Sequence, residues 1–175
     1  MIRGKKVKQA QDNPIPAGPG CYLGEFEHAV DAQRRLAIPG AWRGGDARFV
    51  LLPGREKSLQ LVPAAMFQEL LAKLRQVSFA DAQAAVALAT IGSMAVMCEP
   101  DKQGRISLTP KLMEHAGIRG AAVLLGAVTT IQIWDPARWT KRRMDSQKGL
   151  DVIQALQEKP DALGAVLGAL AKGKA

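Results

Sequence analysis

The chain has 175 residues, of which 47% are hydrophobic, so it is long enough to bury a core as one domain or two small ones. Its net charge of +8, with a pI near 9.8, favours an anionic partner such as a nucleic acid, an acidic protein or a membrane surface. Two cysteines, Cys21 and Cys98, form neither a disulfide framework nor a zinc-binding spacing, and they predict reduced thiols in a cytoplasmic protein.

The first twenty residues combine a basic arm with a stiff linker. The four basic residues at positions 3–8 are followed by no apolar run, so the hydrophobic region of a signal peptide is missing. Residues 14–20 (PIPAGPG) have the composition of a linker with few hydrogen-bond donors. No stretch of the sequence approaches the roughly twenty apolar residues of a membrane span. We predict that 1–20 are a basic N-terminal extension and that the protein has no membrane partner.

In chain order, the first predicted structure is a hairpin with Asp31 at its tip. Residues 24–30 form its first strand and 36–38 its return strand, which ends at a Pro-Gly pair. Two further strands are predicted at 49–52 (FVLL) and 59–62 (LQLV). The alternation of apolar and polar residues in LQLV is typical of a half-buried strand.

Two helices are predicted next. An apolar stripe at helical spacing begins at Pro63, an acceptable first helical residue, and extends to Val77. Ser78 and Asp81 then have capping-box spacing before an alanine-rich helix that extends to Ile91.

The sequence that follows repeats the first unit. Asp31 to Arg35 (DAQRR) leads into the apolar segment LAI, and Asp101 to Arg105 (DKQGR) leads into ISL. The later segments VLL and IQIW match FVLL and LQLV in type and order. The period of roughly seventy residues is too long for a solenoid, whose units have about 20–50 residues. We therefore predict two duplicated half-domains, the first and second copy, that share one core.

The two turns differ at their fourth position. In the second copy Asp101 comes first and Gly104 fourth, which is typical of a type I turn whose exit uses positive φ. In the first copy Arg34 takes the fourth position, and a left-handed conformation costs a non-glycine residue about 1 kcal/mol. Either the first turn has another conformation, or strain is tolerated there in exchange for an added charge.

Three helices are predicted after the second turn. A short helix begins at Pro110 and ends at Gly117, which suits a left-handed C-terminal cap. Another begins near Pro136 and carries four basic residues, a pattern that is more often a solvated helix face than a DNA contact. The stretch from Asp161 has apolar residues at helical spacing, and it could pack on its own core or on a neighbouring subunit.

The duplicated turns predict an element that reads DNA. An arginine in the major groove can bond O6 and N7 of guanine through two donors and discriminates by about 1–3 kcal/mol. We assign this role to Arg35 and Arg105, and we assign flanking phosphate contacts to Arg34 and Lys102.

The acidic residues of the turns are predicted to act within the protein. Asp31 and Asp101 carry carboxylates that phosphates would repel, so we expect them to accept backbone N–H bonds inside the turns and to orient the arginines. Gly104 belongs to the same turn-forming group.

Catalysis is not predicted. The sequence has no glycine-rich phosphate loop, no metal-ligand spacing and no nucleophile elbow. His28 lies near Asp31 and Cys21 in sequence, but alternating strand positions do not converge by themselves. We therefore expect no enzyme activity, no cofactor, no metal and no small-molecule substrate.

Beyond these patterns, the residues carry a resemblance to a known family. The stretch Tyr22 to Pro39 (YLGEFEHAVDAQRRLAIP), with Arg43 shortly after, resembles the opening of the MraZ family, the bacterial transcriptional regulator of the division and cell wall gene cluster. The second half is matched by DKQGRI from Asp101, HAGI from His115, IQIWD from Ile131 and RW at Arg138–Trp139. The similarity covers about residues 21–145.

The resemblance implies a fold and a task. MraZ proteins have two halves related to the AbrB/SpoVT swapped-hairpin barrel, form rings, and bind short direct repeats in the promoter of their own operon. For this chain it implies an α+β fold with a mainly β barrel core, in which two duplicated AbrB-like halves are related by a pseudo-twofold axis. The implied partners are double-stranded DNA and the chain itself.

The resemblance also implies site residues and an organisation. The DNA-contacting turns carry over to Asp31 with Arg35 and to Asp101 with Arg105, and we add Arg43 to the predicted DNA-binding residues. Departures from the family pattern are Gln33 and Arg34 in place of Lys and Gly, Thr109 in place of a proline, and Met113 in place of an arginine. The expected segments are an extension at 1–20, a first half at 21–77, a connecting helix at 78–92, a second half at 93–145 and a helical tail at 146–175.

The expected function is that of a sequence-specific repressor, cytoplasmic and nucleoid-associated, which acts as a ring-shaped homo-oligomer. Two alternatives remain open: a ring-forming interaction scaffold that has lost DNA specificity, and an AbrB-like protein that binds DNA nonspecifically. The duplicated halves within one chain argue against a third, an AbrB-like antitoxin or general transition regulator. Arg34 and Met113 are the residues that keep the scaffold in consideration.

Overall fold

The structure, a computed structural model, describes residues 21–44, 47–74 and 82–158. Its strands and helices, in chain order, are β1 (Glu25–Ala29), β2 (Arg35–Ala37), β3 (Phe49–Pro53), β4 (Leu59–Pro63), α1 (Ala64–Leu74), α2 (Ala82–Gly92), β5 (Val96–Cys98), β6 (Arg105–Ser107), α3 (Pro110–Ala116), β7 (Ala121–Ala127), β8 (Thr130–Trp134), α4 (Pro136–Arg142) and α5 (Ser146–Glu158). The chain divides at Pro136 into two compact units, with all the strands in the first and α5 in the second. The predicted α+β class is confirmed.

Strands from the two copies are interleaved in one antiparallel sheet. The six-stranded sheet has the order β1-β7-β8-β4-β3-β5, and β2 and β6 form a separate two-stranded sheet. Each strand of the first copy pairs with a strand of the second, in the pairs β1–β7, β2–β6, β3–β5 and β4–β8. Neither copy could therefore complete this sheet alone.

The expected closed barrel is not found among the described strands. The six-stranded sheet is open, with β1 and β5 at its edges. The two strands that follow the Asp turns, β2 and β6, have three residues each and pair with each other rather than with the edges of the larger sheet. An isolated antiparallel bridge pairs Val30, the residue after β1, with Leu36 of β2.

One hydrophobic core is built from both copies. Leu59 and Leu61 of β4 and Ile131 and Ile133 of β8 alternate inward and are fully buried, as the period of two in these strands predicts. Complete burial of such a side chain contributes about 1.5–3 kcal/mol relative to leaving it exposed. Because the inward residues come from both copies, folding of the two copies is coupled.

The helix that follows the second turn forms as its sequence predicts. The Thr109 hydroxyl oxygen accepts a hydrogen bond from the Leu112 amide at 3.3 Å, and Pro110 is the first residue of α3. Gly117 ends the helix in the left-handed conformation, with φ 69°. This confirms the predicted helix from Pro110 to Gly117.

Four sequence predictions fall on residues outside the described ranges. These are the basic arm at 1–20, the end of the helix predicted from Pro63 to Val77, the capping pair Ser78 and Asp81, and the helix from Asp161. In the part of the chain that the structure describes, no helix combines the length and the hydropathy needed to cross a bilayer.

Candidate nucleic-acid interface

The first turn is closed by the carboxylate of Asp31. Its Oδ1 accepts hydrogen bonds from the backbone amides of Gln33 and Arg35, both at 2.9 Å. Its Oδ2 accepts a third bond from Arg35 Nε at 2.7 Å. One carboxylate therefore fixes both the backbone of the turn and the direction of the arginine side chain, because a hydrogen bond at Nε holds the plane of the guanidinium.

The second turn repeats this arrangement. Asp101 Oδ1 accepts from the Gln103 amide at 2.9 Å and from the Arg105 amide at 3.0 Å. Its Oδ2 accepts from Arg105 Nε at 3.0 Å and from Arg105 Nη2 at 2.8 Å. These hydrogen bonds are the ones predicted for an aspartate at the first position of the turn.

Both turns use a left-handed residue at the fourth position. Gly104 has φ 75°, and Arg34 has φ 60°. Of the two possibilities that the sequence left open for the first turn, the structure shows the strained one: Arg34 keeps the backbone of the turn at a conformational cost of about 1 kcal/mol. The Arg34 side chain is exposed.

The arginines of the turns remain partly accessible. The exposed fraction of the side chain is 30% for Arg35 and 24% for Arg105, so neither is buried within the protein. A guanidinium has five N–H donors. Arg105 donates two of them to Asp101, which leaves three for other acceptors. An arginine held in this way presents its outer donors without having to be ordered at the moment of binding.

The aspartates are held in their ionised form by these contacts. The side-chain hydrogen bond from Arg105 is the largest cause that lowers the pKa of Asp101 to about 2. For Asp31 the backbone hydrogen bond from Arg35 is the largest cause that lowers the pKa below its usual value. Both carboxylates are therefore negatively charged at neutral pH.

The two turns lie side by side. In the pairing of β2 with β6, Leu36 faces Ile106 across the two strands. Just outside this ladder, the Ile38 amide donates to the Gly104 carbonyl oxygen, and the Leu108 amide donates to the Arg34 carbonyl oxygen, each at 2.8 Å. Each turn is thus anchored to the strand that leaves the other turn.

An ion pair also connects the turns. Arg105 Nη1 lies 3.6 Å from Asp31 Oδ2, so the guanidinium of the second turn contacts the carboxylates of both. No sequence pattern indicates this contact, because the two residues are far apart along the chain.

A polar cleft of about 370 Å³ lies beside the second turn. Its lining residues are Arg43, Ala47, Arg48, Glu99, Pro100, Asp101, Lys102 and Gly104. The predicted residues Arg43 and Lys102 are therefore brought together with the second turn. Arg48 is not among the predicted site residues, because its position just before β3 belongs to no motif that would have identified it.

Taken together, the chain is an α+β protein that presents two adjacent Asp-x-x-x-Arg turns with several arginines around them. Two segments, residues 21–89 and 92–151, match the family model described as "MraZ protein, putative antitoxin-like". The segments meet between the two copies and cover most of the chain. The chain belongs to the MraZ family.

Similar proteins support this assignment. The chain is 38% identical to the transcriptional regulator MraZ of Symbiobacterium thermophilum over 120 residues, which are 68% of this chain and 87% of that protein. It is 37% identical to the transcriptional regulator MraZ of Herpetosiphon aurantiacus over 144 residues, 82% of this chain and 99% of that protein. For the protein of the same name from Thermomicrobium roseum the identity is 35%, over 77% of this chain and 96% of that protein.

Proposed function

We propose that this chain is a transcriptional regulator that binds double-stranded DNA in a sequence-specific manner. Its site is the pair of turns, with Arg35 and Arg105 contacting base edges. The observation that carries the proposal is their geometry: two partly exposed arginines, each oriented by a carboxylate, on turns held side by side. The name "transcriptional regulator" of the relatives supports it.

The surrounding arginines and lysines have a separate role in the proposal. Arg34, Arg43 and Lys102 are exposed, and Arg43 and Lys102 line the cleft beside the second turn. Contacts from such side chains to phosphates release condensed counterions and add affinity without sequence preference. Base reading would then depend on the arginines of the turns, and overall affinity on the flanking charges.

We also propose that the protein acts as a repressor from a ring-shaped homo-oligomer on direct repeats in the promoter of the division and cell wall gene cluster. Such a protein would be cytoplasmic and associated with the nucleoid. Two arginines give weak binding, whereas several subunits on spaced repeats gain affinity through effective concentration.

One feature supports self-association. Helix α2 (AQAAVALATIG) carries no charge and has no buried residue, and Val86 is 66% exposed. An apolar surface of this kind is typical of a protein interaction site.

The proposed fold extends the observed pairing. By their order in the repeat, β1 corresponds to β5, β3 to β7 and β4 to β8. If each strand of the order β1-β7-β8-β4-β3-β5 is replaced by the corresponding strand, the result is the same order counted from the other edge of the sheet. This supports two AbrB-like halves, 21–77 and 93–145, that exchange hairpins about a pseudo-twofold axis.

Binding to DNA carrying the direct repeats upstream of the protein's own gene tests the function. We expect the wild-type chain to bind these repeats more tightly than a scrambled duplex at moderate salt, measured by fluorescence anisotropy. Arg105→Ala should lose about 1–3 kcal/mol of affinity for the repeats and approach the scrambled value, because a bidentate guanine contact discriminates by that amount. Arg35→Ala should act in the same direction.

Two controls separate base reading from charge. Arg55→Ala removes the same charge from an exposed residue at the end of β3 opposite to the turns, and it should leave repeat binding unchanged. Lys102→Ala should weaken binding to both duplexes equally and reduce the salt slope by about one. Equal affinity and equal salt slope of the wild-type chain on both duplexes would refute sequence-specific binding and favour the scaffold or a nonspecific DNA-binding protein.

A further inference from the structure

The side chain of Arg43 lies against the backbone of the second turn. A Cβ atom added at Gly104 would lie 2.6 Å from Arg43 Cδ, and it would also overlap Nη1 and Cζ of the same side chain. Non-bonded carbon atoms are in favourable contact at about 3.5–4.0 Å. The Arg43 side chain would therefore have to move if position 104 carried any other residue, so its present position depends on glycine there.

The duplication relates this contact to the first turn. A shift of seventy residues takes Arg34 to Gly104 and Arg43 to Met113. The two reciprocal hydrogen bonds between the turns obey the same shift, since Ile38 donates to Gly104 and Leu108 donates to Arg34 at equal distances of 2.8 Å.

The segment that carries the flanking residue also corresponds in the two copies. Pro39 in the first copy and Thr109 in the second each precede a helical turn. Their backbones are extended, with ψ 139° for Pro39 and 152° for Thr109. By this correspondence, position 113 is the equivalent, for the first turn, of position 43 for the second.

The two copies therefore carry an arginine at different positions. At the second turn the left-handed residue is glycine and the flanking residue is arginine, whereas at the first turn the left-handed residue is Arg34 and the flanking residue is Met113. Met113 is partly buried against the hydrophobic core, as an unbranched and adaptable apolar side chain permits. In each copy one position carries a guanidinium and the other carries none.

We propose that Arg34 and Met113 are a coupled pair. Arg34 supplies to the first turn the phosphate-binding guanidinium that Arg43 supplies to the second, and position 113 is apolar because an arginine there would need the space of the Cβ atom of residue 34. The phosphate-binding part rests on the proposed function. The steric coupling does not, and it can be tested without DNA.

A double-mutant cycle on folding tests the coupling. We expect Met113→Arg to lower the folding equilibrium constant about tenfold in urea titrations, and Arg34→Gly in the same chain to restore it. Arg34→Ala is the matched control: it removes the arginine but keeps the Cβ atom, so the pair Arg34→Ala with Met113→Arg should stay destabilised. Additive effects, or equal rescue by glycine and alanine, would overturn the proposal.

Binding to the direct repeats tests the charge. Arg34→Gly should weaken binding about two- to tenfold at moderate salt, as should Arg43→Ala, and the double variant Arg34→Gly/Met113→Arg should recover wild-type affinity and salt slope. A double variant as weak as Arg34→Gly would overturn the assignment of the guanidinium. Failure of the wild-type chain to prefer the repeats would instead refute the proposed function, and the folding cycle would still decide the coupling.

Discussion

The first and second turns share the hydrogen bonds that close them but have different residues at the position whose backbone is left-handed. The carboxylates of Asp31 and Asp101 each accept hydrogen bonds from two backbone amides and from the Nε of the arginine four residues later. The fourth residue is Arg34 in one turn and Gly104 in the other, both left-handed. The carboxylate therefore determines the shape of the turn, and the identity of the fourth residue determines what can pack against it.

Two turns of the same geometry thus carry different residues at the left-handed position. The second turn has an unstrained glycine and needs a neighbour, Arg43, to place a guanidinium beside it. The first turn carries a guanidinium on Arg34 itself and tolerates a strain of about 1 kcal/mol. At position 34, the arginine therefore adds a positive charge and also causes the conformational cost.

The largest effect should come from the core that holds the turns together. Leu36→Ala removes a fully buried side chain opposite Ile106 and should destabilise the protein by about 2–5 kcal/mol in urea unfolding. Ile106→Ala is the matched change in the other copy, and we expect a loss of similar size. A loss of less than about 1 kcal/mol for either variant would show that the turns are not held by this shared layer.

A smaller effect should follow when the second turn is made like the first. Gly104→Arg places a non-glycine residue at φ 75° and displaces Arg43, so we expect a loss of about 1–2 kcal/mol in the free energy of unfolding. Adding Arg43→Met should recover the part that is due to overlap and leave the cost of the left-handed backbone. No recovery would mean that the Arg43 side chain moves away without cost.

The smallest effect should be a difference in pH dependence. The stabilisation from the Asp101 contacts is fully present above its ordinary pKa of 3.8, and it is lost as the pH falls towards the lowered pKa of about 2. The stability of Asp101→Asn should therefore fall less than that of the wild-type chain between pH 4 and pH 2, as measured by chemical unfolding. Asp31→Asn is the matched variant and should act in the same direction, because the pKa of Asp31 is also lowered. A parallel fall in all three proteins would contradict this assignment.

Much of the local structure could be predicted from the sequence. The turn at Asp101–Gly104, helix α3 with its left-handed Gly117 and the strands of the LQLV and IQIW segments occur where the residues indicated them. Helix α1 begins at Ala64, one residue after the predicted Pro63, because that proline still belongs to β4. These features depend on residues within a few positions of one another, so a single segment contains the information.

The environment of the candidate site could be predicted only in part. The sequence placed an arginine on each turn and an aspartate to orient it, since four residues separate the two. It did not indicate the ion pair between Arg105 and Asp31, the contribution of Arg48 to the cleft, or the contact of Arg43 with Gly104. Each of these involves residues separated by tens of positions.

The sequence by itself therefore determined the two turns, the charge they carry and the membership of the chain in the MraZ family. Only the tertiary structure decided that strands of one copy pair with strands of the other and that β2 and β6 bring the turns together. The reason is physical: hydrogen bonds over four residues are fixed by local backbone geometry, whereas the pairing of distant strands is fixed by burial of side chains from both copies in one core.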